Sequence, residues 1–159
     1  MTFRNHIKIT LLSLVVLAVG IALFYHADRK KAVETLLQKG RTAIETKNME
    51  KLMPLIALFY RDDLGLSYAS LRGSFEYVFS QFNDIKIDYR IAAVTVGKDT
   101  SVADLFVYAS GTWMGGTQDI AGKENEPLPV SILCIKEMFK WKVIGSRWPR
   151  GKAGLPGFN

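Results

Sequence analysis

The chain has 159 residues, with 21 Lys and Arg against 15 Asp and Glu, a formal net charge of +6, and a single cysteine. That length leaves room for one ordinary domain beside a short terminal segment and excludes two. One cysteine excludes an intramolecular disulfide and any cysteine-clustered metal site, so stability must come from packing.

Residues 1–8 form a short basic tail with Arg4 and Lys8, and the run from Ile9 to Tyr25 that follows carries no charge. As a helix rising about 1.5 Å per residue, the run spans roughly 26 Å, near the core thickness of a thin bilayer. We expect a transmembrane helix at 9–26 acting as a signal anchor, with Arg29, Lys30 and Lys31 just beyond it. A cleaved signal peptide is the competing reading. Its best cleavage-like triplet, Ala18-Val19-Gly20, lies inside the apolar run, which favours the anchor. Counting basic residues on either side favours a cytoplasmic domain. A short tail before a single first helix instead resembles an anchor that exports its C-terminal part. The expectation is a single-pass protein of a bacterial inner membrane, with its domain exported and residues 9–26 in the lipid bilayer.

The domain is expected at 27–150, followed by a flexible tail at 151–159 rich in Gly and Pro. Val33, Leu36, Leu37, Gly40 and Ile44 form one stripe at helical spacing, which predicts a first helix from Asp28 to Lys47. Asn48 caps a short second helix with Leu52, Leu55, Ile56 and Phe59 turned inward and Pro54 shortening it. Arg61-Asp62-Asp63-Leu64-Gly65 reads as a turn. Ser67 caps a third helix, Tyr68 to Phe82. The period then becomes two: Ile85, Ile87, Tyr89 and Ile91 alternate with Lys86, Asp88 and Arg90, and the phase slips at Ala92-Ala93, where a bulge is expected. Further strands are expected at Val102 to Met114, Val130 to Phe139 and Trp141 to Trp148, with a polar loop from Gly115 to Pro129. Helices followed by a meander of long strands predict an α+β fold, three helices packed on a curved antiparallel sheet.

This order resembles the nuclear transport factor 2-like fold, also called SnoaL-like, ketosteroid-isomerase-like or cystatin-like, over about Arg29 to Arg150. The pieces that carry the likeness are the corner Lys47-Asn48-Met49-Glu50-Lys51-Leu52 and the last strand, Trp141-Lys142-Val143-Ile144. The resemblance implies a cone with an open mouth, used by enzymes, binding proteins and scaffolds alike. Ketosteroid isomerases use a tyrosine on helix one, an aspartate after helix two and an aspartic acid on a late strand. Here the first helix has no tyrosine, the second position falls at Leu66, Ser67 and Tyr68, and the third carries Leu133 and Cys134. All three roles are empty, so no catalytic residue is assigned.

Both histidines, His6 and His26, flank the apolar run, so no metal site and no cofactor is expected in the domain. No phosphate loop or dinucleotide fingerprint occurs. Cys134 sits among apolar residues and reads as a buried thiol. Asp62-Asp63 is a tempting carboxylate pair, but a solvated turn is the commoner use of such a dipeptide. Asp88 and Arg90 share a strand face with Lys86, and Asp104 shares one with Phe106 and Tyr108. Either face lines the cone or lies on the outer surface of the sheet. With Trp113, the residues Asp104, Tyr108, Asp88 and Arg90 are the candidate ligand-binding set, on the rule that pockets are apolar with a few convergent polar groups.

Lys136, Lys140, Lys142, Arg147, Arg150 and Lys152 interleave with Trp141 and Trp148. Next to a bilayer this mixture suits anionic headgroups; export makes nucleic acid an unsuitable partner. A non-enzymatic binding or assembly module is the leading expectation, taking a small apolar ligand and pairing as a homodimer through the open sheet face. The alternative is a dehydratase- or cyclase-type enzyme using Asp88, Asp104 and Tyr108.

Overall fold

The computed structural model describes residues 27–149, together with Val19. Apart from Val19, the expected anchor at 9–26 lies outside the described residues, as does the tail at 151–159. Among the described residues no helix is long and apolar enough to cross a membrane.

Helix α1 occupies 27–45 and buries Val33, Leu36 and Ala43 on one stripe. Lys47 then turns left-handed (φ 52°), and Asn48 caps α2 (Met49–Leu52) by accepting from the Lys51 amide at 2.9 Å. Pro54 admits no α-helical continuation, and a 3-10 turn at Met53–Leu55 follows. Leu52 and Ile56 face inward as expected, whereas Phe59 is 58% exposed. Its stretch is not helical, so the helical period does not apply to it. Helix α3 (Tyr68–Gln81) starts at a reciprocal cap between Ser67 and Ser70. It turns Leu71, Phe75, Val78 and Phe79 toward the interior, each half-buried.

Five strands form one antiparallel sheet: β1 (Asn83–Val96), β2 (Thr100–Trp113), β3 (Gly116–Ala121), β4 (Leu128–Glu137) and β5 (Lys140–Arg147), in the order β1-β2-β4-β5. The expected bulge is present as a register shift between Ile91 and Ala93. Strand β3 corrects the expected loop from Gly115 to Pro129. Its residues are polar and exposed except for Ile120 and the half-buried Ala121, so no alternation announced it. Beyond its pairing with β1, β2 bonds β4 through Thr100–Val107 and β3 through Ala109–Trp113. At the corner between β3 and β4, Gly122 has φ +70° and a Cβ there would meet the Val107 carbonyl oxygen at 2.8 Å.

Alternation divides the sheet into two faces. The opposed pairs Ile91–Leu105, Tyr89–Val107 and Ile87–Ala109 lie on the face that packs with the helices. The pairs Arg90–Phe106 and Asp88–Tyr108 therefore lie on the other. Val33 and Leu36 of α1 pack with Val96, Cys134 and Trp141 at the end of the sheet where β1 turns into β2.

Two hairpins are closed by two-residue turns with both central residues left-handed. Met114-Gly115 (φ 48° and 82°) joins β2 to β3, and Met138-Phe139 (φ 42° and 71°) joins β4 to β5. That geometry matches the twist of the strands but suits Asn-Gly, and a bulky L-residue there costs roughly 1–2 kcal/mol. Replacing Met138-Phe139 by Asn-Gly is expected to stabilise the domain by about 1 kcal/mol or more in denaturant melts. Burial raises the Cys134 thiol from 9.0 to about 12. The unfolded chain then loses this proton before the folded one does. The contribution is intact below pH 9.0 and declines as pH rises toward about 12. Cys134→Ala should flatten the loss of stability across that alkaline window.

Candidate functional site: an apolar cavity with one polar corner

Between the helices and the inner sheet face lies a cavity of ≈ 320 Å³. Its wall is built from α1 (Leu36, Leu37, Gly40, Ile44), α3 (Leu71, Phe75, Val78) and inward strand residues such as Ile87, Leu105, Val107 and Ile132. Gly40 contributes to the space itself, since a Cβ there would meet nothing within 4 Å.

Polar groups converge at one corner, and the chain places them by a backbone device. The segment after the 3-10 turn runs beside β5. The Ala57 amide donates to the Val143 carbonyl (2.9 Å), Arg61 to Ile144 (3.0 Å) and Asp63 to Ser146 (3.3 Å). The approach is so close that a Cβ at Gly145 would collide with the Arg61 carbonyl oxygen. This brings Tyr60 and Asp62 to Ser146. The Tyr60 hydroxyl donates to Asp62 Oδ2 at 3.0 Å, which leaves its oxygen to accept from the Ser146 hydroxyl at 3.1 Å. Ser146 Oγ in turn accepts from Trp148 Nε1 at 2.8 Å. Asp62 Oδ1 accepts from the amides of Leu64 (3.1 Å) and Leu66 (2.7 Å). Every proton in this chain points toward the Asp62 carboxylate. Burial pushes the Tyr60 phenol well above its usual range, and the Asp62 carboxylate beside it works in the same direction. Tyr60 thus stays protonated through neutral pH.

A second polar group reaches the wall from α1. Arg41 Nε bonds Glu45 Oε1 at 3.0 Å, and the same oxygen accepts from the Ile87 amide at 2.9 Å. The hydrogen bond to Glu45 holds the guanidinium above its ordinary pKa. Arg41 also lies 6.0 Å from the centre of the Tyr89 ring, whose hydroxyl donates to Gln38.

The residues chosen from the sequence fall elsewhere. Asp88, Arg90, Asp104 and Tyr108 lie on the sheet face opposite the cavity, and Trp113 ends β2 outside the cavity lining. They are not gathered into one site. Asp104 accepts from Ser131 Oγ at 2.6 Å, Tyr108 donates to Asp119 at 3.1 Å, and Arg90 lies over the Phe106 ring at 4.6 Å. Asp88 reaches round to Arg41 at 3.7 Å. The opposite outcome for Asp62 has a physical reason. As a turn residue it uses one carboxylate oxygen locally, and the β5 contact turns the other toward Tyr60. Nothing in the local sequence encodes the pairing of residue 60 with residue 146. Among the described residues no cluster of His, Cys, Asp or Glu suited to a metal ion is present.

No family model matches the chain, and no curated protein matches it. Solved structures do. A provisionally assigned scytalone dehydratase from Novosphingobium aromaticivorans superposes with a TM-score of 0.66 at 11% identity, over 77% of this chain and 83% of that one. A nuclear transport factor 2-like superfamily protein from Salmonella enterica serovar Typhimurium gives 0.64 at 12% identity, over 84% and 99%. A protein from Bdellovibrio bacteriovorus gives 0.64 at 15% identity, and there the match covers 79% of this chain but 42% of that one. Likeness at these identities speaks to architecture, and it shows that the described residues take the nuclear transport factor 2-like fold.

Proposed function

We propose that the chain is a membrane-held, non-catalytic binding module whose cone takes one small apolar molecule carrying a single hydrogen-bond donor, such as an alcohol. The observation that carries this reading is the cavity itself: ≈ 320 Å³, walled by aliphatic and aromatic side chains, with Asp62, Tyr60 and Ser146 at one corner. That is the size and chemistry of a small-molecule pocket. The donor of the ligand would join the converging bonds at Asp62, and its apolar body would fill the space beside Gly40. The membrane part of the reading rests on the uncharged run Ile9 to Tyr25. Pairing of two copies through the sheet face that carries Phe106 and Tyr108 belongs to the same proposal. A strict monomer in sedimentation at high concentration removes that part.

One observation favours a second, enzymatic reading. A tyrosine hydroxyl bonded to a carboxylate at the wall of an apolar pocket is the arrangement an acid–base pair requires. A likeness to a provisionally assigned dehydratase is compatible with it. In this reading the acid–base groups are Tyr60 and Asp62, rather than Asp88, Asp104 and Tyr108.

Native mass spectrometry of the full chain in detergent tests both. The binding reading expects an added mass on the order of a few hundred daltons that is released unchanged. Gly40→Leu should abolish that mass while leaving the domain at least as stable, because the helix gains about 1 kcal/mol from losing a glycine and the side chain enters empty space. A bare chain that takes up no apolar alcohol overturns the reading. Release of a chemically altered molecule, lost in Tyr60→Phe, would move the assignment to the enzyme.

A further inference from the structure

The Met138-Phe139 turn is the most conspicuous unexplained feature outside the cavity. Both side chains project into solvent, 91% and 93% exposed. Both residues are also held left-handed, where a bulky side chain is unfavourable. Neither belongs to a core cluster, so the fold gains no packing from them. Strain retained without a structural return points to a use outside the fold.

The position of the turn says what that use is. It sits at the end of the sheet where β1 turns into β2, because the Lys136 amide donates to the Asp99 carbonyl at 2.8 Å. The start of α1 is at the same end: Arg29 Nη1 donates to the Gly97 carbonyl at 3.2 Å, and Val33 packs with Val96, Cys134 and Trp141. The apolar run closes at Tyr25, and the four residues from there to Arg29 reach at most ~14 Å even when extended. Whatever holds that run therefore faces the hairpin tip. Basic residues surround the tip: Lys98 in the β1–β2 turn, Lys136 and Lys140 on the hairpin, and Lys30 and Lys31 on α1. Of the acids at this end, Glu137 is taken by Lys142 at 2.9 Å and Glu34 lies 4.0 Å from Lys30, while Asp28 and Asp99 complete the set. The end remains net basic.

We propose that Met138 and Phe139 form a wedge that enters the interfacial zone of an anionic bilayer, with Lys98, Lys136 and Lys140 on the headgroups. Apolar side chains ringed by lysines suit that zone. The proposal rests on the reading that residues 9–26 hold the chain at a membrane, and it adds the orientation of the domain: the sheet stands tip-down, with the Met114-Gly115 turn at its far end.

The test uses the full chain with an environment-sensitive fluorophore on Phe139→Cys or, as control, on Met114→Cys, an 88% exposed residue of the opposite turn. Cys134, 1% exposed, stays unlabelled in the folded chain. Vesicles contain phosphatidylglycerol, brominated phosphatidylcholine and a nickel-chelating lipid. An N-terminal histidine tag then holds the chain at the surface whether or not residues 9–26 insert. Flotation of the untagged chain with vesicles lacking the chelator reads the anchor separately. The wedge predicts an about twofold loss of emission at 139, little loss at 114, and weaker quenching when phosphatidylglycerol is omitted. No quenching at 139 overturns the wedge, even if the chain floats, and would leave the tip to a protein partner. Equal quenching at both positions overturns the orientation. Replacing Met138-Phe139 by Asn-Gly gives the converse reading: with the label on Lys140→Cys, quenching should fall while the melting temperature does not. Unchanged quenching would show that these two side chains are not the inserting groups.

Discussion

The contact on which the rest of the molecule depends is the seam between the segment at 57–63 and strand β5. Without it β5 is a bare edge, with unpaired amides and carbonyls open to any other strand. With it, Val143, Ile144 and Ser146 gain backbone partners, and the segment is held as a wall of the cone. The seam requires Gly145, because only a residue without a Cβ admits the Arg61 carbonyl. It also determines the chemistry of the interior. Tyr60 and Asp62 meet Ser146 because their backbone is bonded beside it, and the three side chains together with Trp148 satisfy one another. A buried polar group left unmatched there would cost about 1–3 kcal/mol, so the corner is polar and tolerable at once.

Two features of this domain run against stability. An apolar void forfeits the dispersion contacts that a filled core would make, and Gly40 widens it inside a helix, where alanine would be better. The Met138-Phe139 turn holds two bulky residues left-handed with no packing in return. Small domains are only marginally stable, so both departures carry a real cost. They lie in different parts of the cone: the void between the helices and the sheet, the turn at the end from which α1 starts. The two proposals, a ligand held in the interior and a tip that meets a bilayer, are compatible because neither uses residues of the other.

The helices and their boundaries were legible because their causes are local. Asn48 and Ser67 cap the helices they were expected to cap, Pro54 ends α2 where its missing amide must, and the phase slip at Ala92-Ala93 became a register shift. Strand β3 was not legible. A short polar edge strand with one buried side chain, Ile120, has no period to detect, and it forms because β2 offers it a partner. The alternation in β1 and β2 sorted residues correctly into two faces but could not say which face meets the helices. Apolar residues took the inner face, and with them went the chance that Asp88, Asp104 or Tyr108 would line the cavity.

Legible in the residues alone were the class of fold, the three helices of the described domain, the capped corners, the buried thiol at Cys134 and the absence of histidine from residues 27–150. Each follows from spacing or composition, which a linear chain carries in full. The site itself depends on long-range packing. Tyr60 and Asp62 are distant in sequence from Ser146 and meet it through a backbone seam, and Gly40 borders open space at the cavity wall. The exposed tip likewise acquires meaning only when the start of α1 is seen at the same end. Contacts of that kind depend on which surfaces pack together, and local propensity does not encode them.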